Sequence, residues 1–266
     1  MTSRRIRIGV QLAPQHADYA RLRDTAAALE GLGIDILFTW DHFFPLSGDP
    51  DGRHFESWTV LAALAEQTSR VELGALVNCN SYRNANLQAD MARTVDHISA
   101  GPDGVGRFIF GTGSGWFERD YREYGFEFGT AGSRLDALAR DLPVIRSRWS
   151  KLNPPPTRHI PLLIGGGGEK KTLRMVAEHA DIWHSFSDAP TLERKLAVLA
   201  RHGAEVGRDI SEIEISTKLV SGMTVPEADE LVALGTSLFT IELRQPEYDL
   251  ARIRDWLSWR DERNSR

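Results

Sequence analysis

Eight short apolar runs recur along the chain, and each leads through a polar or glycine-containing turn into an amphipathic stretch. Buried strands that alternate with helices are typical of a parallel sheet with crossover helices. We therefore expect the chain to fold around one parallel sheet. The predicted strands span residues 6–12, 34–40, 71–77, 107–112, 161–165, 180–184, 213–219 and 237–243.

The stretches between these runs carry apolar residues every three or four positions, which predicts helices with one buried face. A last predicted helix begins at Asp249. The expected buried faces consist of Leu22, Ala26 and Leu29; Leu87, Met91, Val95 and Ile98; Leu135, Leu138, Leu142 and Ile145; Leu192, Leu196 and Leu199; and Ile253, Trp256 and Leu257.

The number of units favours one α/β architecture. Eight strand–helix units in 266 residues give roughly 33 residues per unit, which matches a (β/α)8 TIM barrel with its typical length of about 250 residues. We therefore expect a single TIM-barrel domain over residues 1–266. The alternative is a doubly wound sheet. It would leave two strands outside the usual order of six, and no Gly-x-Gly-x-x-Gly motif follows the first strand.

Charge and cysteine content restrict the partners and the compartment. A net charge of -5 and a pI near 5.9 disfavour nucleic acid, because neutralising phosphates needs a clustered basic surface. Cys79 is the one cysteine, so an internal disulfide is excluded, which fits a reducing compartment. No apolar stretch approaches the length of a membrane span. We expect a cytoplasmic protein without a nucleic-acid or membrane partner.

Four consecutive glycines, Gly165, Gly166, Gly167 and Gly168, follow the fifth predicted strand and precede Glu-Lys-Lys at the start of a predicted helix. Glycines let backbone N–H groups approach an anion closely, and the free N–H groups of a helix start add partial positive charge. The run therefore indicates a phosphate site. The alternative is a tight turn followed by a solvated Glu-Lys-Lys face.

Several polar residues follow other predicted strands, where a barrel collects its functional groups. Asp41 and His42 lie between aromatic residues after the second strand; His42 could transfer a proton and Asp41 could accept hydrogen bonds. Alternatively, Asp41 caps a turn and His42 only packs. Asn78 and Cys79 end the third strand, where Asn is also an ordinary turn residue and Cys a small buried hydrophobe.

The fourth strand leads into Gly111-Thr112-Gly113-Ser114-Gly115-Trp116 and an aromatic-rich loop. Alternating glycines let the backbone approach a flat ring, and aromatic side chains can wall a pocket. The hydrolase elbow Gly-x-Ser-x-Gly is excluded around Ser114, because Thr112 and Trp116 occupy the glycine positions. The histidines show no helical metal-ligand spacing, so no metal site is predicted.

Taken together, these motifs resemble the bacterial luciferase-like flavin oxidoreductases and monooxygenases, particularly the branch that uses the deazaflavin coenzyme F420. The resemblance covers residues 39–168 in family order. The matching stretches are Thr39-Trp40-Asp41-His42-Phe43, residues 91–99, residues 107–116 and Leu163-Ile164 with the four glycines.

The resemblance implies a role for each matching residue. His42 would be the catalytic proton donor or acceptor beside the reactive ring carbon. A non-prolyl cis peptide near Asn78 is also implied. The residues expected to bind the cofactor are Asp41, Asn78, Thr112, Gly113 and Ser114 around the ring, and Gly165, Gly166, Gly167 and Gly168 at the phosphate.

The implied activity is hydride transfer between coenzyme F420 and a small organic substrate, in a chain expected to be a homodimer. An FMN-dependent monooxygenase served by a separate reductase is the alternative within the family. Basic residues near the glycine run, Lys170, Lys171 and Arg174, favour F420, whose tail carries several carboxylates. A cofactor-free barrel that binds or hydrolyses a phosphate ligand is the alternative of another class.

Overall fold

The computed structural model describes residues 4–244 and 249–265, and within them nine parallel strand segments form one closed barrel. The ladder runs β3-β2-β1-β9-β8-β7-β6-β5-β4, and an additional pairing of β3 with β5 closes it. The predicted (β/α)8 barrel is therefore confirmed. The segments are β1 Arg7–Leu12, β2 Ile36–Thr39, β3 Glu72–Ala75, β4 Asn78–Cys79, β5 Phe108–Gly113, β6 Leu162–Gly165, β7 Ile182–Ser185, β8 Glu214–Lys218 and β9 Thr236–Leu243.

Helices surround the barrel, and most of their ends carry recognisable caps. The Asp188 side chain accepts from the Thr191 amide at the start of α7, and Gly207 ends that helix in the left-handed region. None of the helices described is long and apolar enough to cross a bilayer. The helices are α1 Tyr19–Leu32, α2 Ser57–Gln67, α3 Ala85–Ile98, α4 Glu118–Tyr124, α5 Ala131–Trp149, α6 Thr172–His179, α7 Ala189–Val206, α8 Val225–Ala233 and α9 Leu250–Asn264.

One predicted helix face was wrong at Leu87, whereas Val95 on the same face is buried as predicted. Leu87 is 52% exposed, and Met91 and Ile98 are only partly buried. The alanines Ala89 and Ala92 lie on the buried face of α3 instead, where it packs against α2 and α5. Small side chains suit this face because they allow neighbouring helix backbones to approach closely.

The third barrel strand is broken into two pieces. It was predicted as one strand over residues 71–77, but β3 ends at Ala75 and β4 begins at Asn78. A cis peptide bond joins Leu76 to Val77 in the gap, next to the position that the family resemblance implied. Both pieces pair with β5, which continues past the gap.

Strand alternation sorts the buried side chains into two cores. One fills the barrel, and the other lies between the barrel and its helices. On β5, for example, Ile109 points into the barrel and Phe110 toward the helices. The residues inside the barrel are Ile36, Phe38, Leu76, Ile109, Leu163, Ile182 and Leu238.

Charged residues close the amino-terminal end of the barrel. Arg7 on β1 pairs with Glu72 on β3 and Glu214 on β8, and Arg158 adds a 2.9 Å ion pair to Glu72. These side chains fill the space below the apolar interior. The carboxyl ends of the strands therefore form the open end, which we call the barrel mouth.

The close approach of β3 to β5 depends on Gly111. A Cβ atom on Gly111 would overlap the Ala75 carbonyl oxygen, which belongs to the backbone and cannot turn away. We expect Gly111→Ala to lower the free energy of unfolding by about 2 kcal/mol. Gly31→Ala is the matched control, because nothing lies near Gly31 on α1 and a helical alanine should stabilise by about 0.5–1 kcal/mol. Urea unfolding measures both; equal effects would contradict the packing argument.

Candidate active site

His42 follows β2 at the barrel mouth, and a buried carboxylate holds its ring. Its Nδ1 lies 2.7 Å from Oδ2 of Asp120 on α4. No hydrogen bond from the described residues reaches Nε2. Trp116 and Phe117 meet the imidazole edge to face, at centroid distances of 5.6 and 5.5 Å. The ring is thus fixed in orientation, with one nitrogen available to a ligand.

Asp120 is completely buried, and other donors hold its carboxylate in place. The Tyr82 hydroxyl donates to Oδ2 at 2.8 Å, and the Phe43 amide donates to Oδ1 at 3.1 Å. A carboxylate at Nδ1 favours the tautomer in which Nδ1 carries the proton. Nε2 of a neutral His42 is then a proton acceptor that no described residue occupies.

Asp41 lies beside His42, but its carboxylate is already occupied. Arg83 donates to both of its oxygens, at 2.6 and 3.0 Å, and the Cys79 amide donates to Oδ2 at 3.0 Å. Burial raises the pKa of the Asp41 carboxyl, and the Arg83 guanidinium opposes that shift. In this structure Asp41 ties the ends of the second and third barrel strands together. Its contact with a cofactor ring stays a prediction.

Cys79 is a packing residue rather than a nucleophile. Its sulfur lies 3.1 Å from the Tyr121 hydroxyl in a cluster with Tyr82 and other aromatic side chains. Burial raises the pKa of the Cys79 thiol to about 11. The thiol therefore stays protonated at neutral pH, and only a thiolate would be reactive.

The floor of the mouth consists of Val77 and two predicted cofactor residues, Gly113 and Gly165. A Cβ atom on Gly113 would lie 2.8 Å from Val77 Cγ2, and one on Gly165 would lie 2.9 Å from Val77 Cγ1. Both glycines are therefore needed to admit the Val77 side chain. The result is an apolar surface with backbone that carries no side chain on either side, against which a flat ring could lie.

Asn78 and Thr112 are paired in register but lie within the wall of the barrel. Asn78 donates to the Gly111 carbonyl at 2.8 Å, and its Oδ1 is buried without a partner among the described residues, like the Thr112 hydroxyl. Thr112 points to the helix layer, since Gly111 and Gly113 face inward. Ser114 follows at the edge of the mouth, where its carbonyl accepts a 3.4 Å bond from Tyr121. If Asn78 and Thr112 contact a cofactor ring as predicted, they would do so through their backbone atoms.

The glycine run continues β6 into an open loop. Gly166 and Gly168 are exposed. The Gly166 amide donates to the His184 carbonyl at 2.9 Å, whereas the Gly167 and Gly168 amides have no acceptor among the described residues. The start of α6 has no side-chain cap. Lys195 of α7 lies directly against Gly167, where a Cβ atom would displace its ammonium group. These donors suit an anion with several oxygens, such as a phosphate.

The cations named from the sequence near this loop are partly neutralised. Lys171 pairs with Asp136, and Arg174 pairs with Glu178 and Glu205. Within the part of the chain that the structure describes, Lys170 and Lys195 have no ion pair. The unpaired positive charge at the glycine loop thus comes from Lys170 and from Lys195, 28 positions beyond Gly167, rather than from Lys171.

Comparison with known proteins decides the family. The model of the luciferase-like monooxygenase family matches residues 2–233. The chain belongs to this family. This confirms the resemblance noted in the sequence. Within the luciferase-like fold, the His42 loop, the β4 segment and the glycine loop all lie at the carboxyl ends of the strands, as predicted.

One relative in sequence and one in structure illustrate what the chain is similar to. An uncharacterized protein of Mycobacterium tuberculosis is 27% identical over 188 residues, which cover 62% of this chain and 64% of that protein. The chain thus spans slightly under two thirds of that relative. An F420-dependent secondary alcohol dehydrogenase in complex with an F420-acetone adduct has a TM-score of 0.80 at 16% identity, covering 93% of this chain and 96% of that one.

A flavin enzyme shares the fold as well. The oxygenating constituent of 3,6-diketocamphane monooxygenase from Pseudomonas putida, in complex with FMN, has a TM-score of 0.61 at 15% identity, covering 80% of this chain and 67% of that one. At these identities the two structures show the fold alone. Structural neighbours thus include both deazaflavin-dependent and FMN-dependent enzymes.

Sequence reasoning missed Asp120, Arg83 and Lys195. Asp120 is 78 residues from His42, and Arg83 is 42 residues from Asp41. No local motif connects these partners. The one available signal was the aromatic-rich loop after β5, which indicated a pocket wall but did not single out its acidic residue.

A second histidine near the site is held neutral. His54 Nε2 accepts a 3.1 Å hydrogen bond from the Trp40 indole, and burial, aided by His42, lowers the pKa of His54 to about 4. The pKa of a histidine in the unfolded chain is about 6.5. Between pH 6.5 and pH 4, the unfolded chain therefore binds a proton at His54 that the folded chain does not, and this favours unfolding. The stabilising contribution of neutral His54 is complete above about pH 6.5 and is lost as the pH falls toward 4.

We therefore expect His54→Gln, which keeps an acceptor for Trp40, to reduce the acid-induced loss of stability. The difference in unfolding free energy between pH 6.5 and pH 4 should shrink by up to about 3 kcal/mol. Urea unfolding at several pH values measures it. His97→Gln, at an exposed position on α3, is the matched control and should unfold like the parent protein. If the unfolding free energy of His54→Gln fell between pH 6.5 and pH 4 as steeply as that of the parent protein, His54 would not be the group responsible for the loss.

Proposed function

We propose that this luciferase-like protein is an oxidoreductase that transfers hydride between a deazaflavin coenzyme of the F420 type and a small organic substrate. The observation that carries the proposal is His42, with Nδ1 fixed by Asp120 and Nε2 without a hydrogen bond from the described residues. Oxidation of an alcohol carbon by hydride loss requires removal of one hydroxyl proton. A single oriented imidazole is sufficient for that step.

The residues at the mouth fit the coenzyme in shape and charge. Val77 presents an apolar surface between Gly113 and Gly165 on which a flat ring could lie, because neither glycine carries a side chain beside it. The open amides after Gly166 and the Lys195 ammonium suit a phosphate. When bound, the coenzyme would supply the hydride acceptor or donor.

The remaining chemistry belongs to side chains of this chain. Asp120 keeps the imidazole oriented and stabilises it when Nε2 holds a proton. Trp116 and Phe117 pack edge to face against the imidazole and help to fix its plane. In alcohol oxidation Nε2 would take the hydroxyl proton, and in carbonyl reduction it would return that proton to the oxygen.

The preference for F420 over FMN rests on two observations. The sequence motifs resemble the F420-dependent branch, and Lys170 and Lys195 leave unpaired positive charge beside the glycine loop. Such charge favours an anionic coenzyme tail. FMN shares the ring and the phosphate. An FMN-dependent monooxygenase is therefore the alternative outcome of a binding experiment.

Coenzyme binding tests the proposal directly. We expect the purified protein to change the fluorescence of F420 on titration and to bind FMN more weakly. Gly167→Asp should weaken coenzyme binding at least tenfold, because a carboxylate would occupy the anion site, while the melting temperature changes little. Lys195→Gln should weaken it less, and Lys151→Gln, at the far end of the barrel, is the matched control. Tighter FMN binding would favour the monooxygenase, and binding of neither coenzyme would overturn both.

The His42–Asp120 pair makes a separate prediction about turnover. With F420 and a panel of secondary alcohols, His42→Ala should reduce turnover about 100-fold or more. Asp120→Asn should reduce it less, and should also remove the preference for the Nδ1-protonated tautomer in ¹⁵N spectra of His42. Unchanged turnover in His42→Ala would eliminate the proton-transfer role.

A further inference from the structure

A cleft of about 650 Å³ opens at the barrel mouth, between the segments that follow β7 and β8. Its wall is largely apolar and includes Val220, Met223 and Leu231. Phe186 also lines it and is 72% exposed. A large apolar side chain exposed in a concave surface is typical of a binding site rather than of a folded core.

His184 lies beside this cleft and has an unsatisfied nitrogen. It is 4% exposed and ends the inward-facing row of β7, next in register to Gly165 and Ser216. Its Nδ1 lies 2.8 Å from the Ser216 hydroxyl, but Nε2 is buried and has no partner among the described residues. Leaving a buried polar atom without a partner is costly, so such atoms usually have a partner that a ligand or water supplies.

Phe186 connects the two features. Its ring meets the His184 imidazole edge to face at a centroid distance of 5.5 Å, and the same side chain lines the cleft. Because Phe186 is mostly exposed, its ring can turn without breaking a packed core. Turning it away would open a path from the cleft to Nε2 of His184.

The charges around the cleft select an uncharged ligand. Burial, aided by Lys218, lowers the pKa of His184 to about 3, so the imidazole is neutral. Lys218 at the inner end is paired with Glu242, so it offers no free charge to an anionic ligand. An ammonium group at Nε2 of His184 would have to leave water without a counter-charge. Exposed carboxylates on the outer rim, Asp188, Glu227 and Glu230, would repel an anion.

We propose that this cleft binds an uncharged alcohol or ketone with a compact apolar body, whose oxygen hydrogen-bonds to Nε2 of His184. The apolar body would lie against Val220, Met223 and Leu231. That this molecule is the substrate rests on the proposed function. That it binds in the cleft does not. His184 is then a specificity residue that selects a neutral polar end.

Cyclohexanol is a suitable probe, with cyclohexanecarboxylate and cyclohexylammonium as charged counterparts. In protein labelled with ¹⁵N at histidine, cyclohexanol should shift the Nε2 resonance of His184 in a saturable manner, with at least tenfold higher affinity than either charged compound. His184→Leu should weaken cyclohexanol binding about fivefold, the loss expected for one hydrogen bond. His97→Leu is the matched control.

A second pair of variants does not depend on the folding of His184→Leu. Val220→Asp places a carboxylate inside the cleft at a position that is 47% exposed, and should weaken cyclohexanol binding at least threefold. Val105→Asp changes a similarly exposed valine far from the mouth and should bind as the parent protein does.

Equal binding by the parent protein and Val220→Asp, or a His184 resonance that does not respond to cyclohexanol, would overturn the inference. F420 binding without any cyclohexanol response would overturn this inference alone. A cyclohexanol response at His184 in a protein that binds neither F420 nor FMN would support the cleft and overturn the proposed function.

Discussion

The contact between the third barrel strand and β5 determines the shape of the barrel mouth. Where the third strand breaks, the Ala75 carbonyl packs directly on Gly111, and the Val77 side chain rises between Gly113 and Gly165. The packing of a neighbouring strand segment therefore requires a glycine at 111, 113 and 165, whether or not a ligand binds there. The apolar floor of the mouth, and therefore the place where a flat ring could lie, is a consequence of strand packing.

The barrel could be predicted because its strands are buried on both faces and read as continuous apolar runs. The same property concealed the break in the third strand, since Leu76 and Val77 extend the apolar run without a local signal. Helical periodicity located α3 but assigned Leu87 to its buried face wrongly. Leu87 fits the spacing, yet the alanines on another face permit closer contact with α5.

The candidate site, like the fold, could be predicted from the sequence only in part. His42 and the glycine run could be identified from sequence because each is a local pattern at the end of a strand. Their partners, Asp120 and Lys195, could not, because each comes from another strand–helix unit and meets its target only in the closed barrel. Asp41 illustrates the converse difficulty: its position was predicted, but its carboxylate is bound by Arg83.

Asp120 lies on α4, outside the barrel, and accepts hydrogen bonds from residues that follow two other strands. A single carboxylate therefore connects the loop after β2, the turn after β4 and the loop after β5. A loop exchanged into this protein from a relative would bring its own donors or lose those of Asp120. Redesign of the mouth would accordingly have to replace these three segments together.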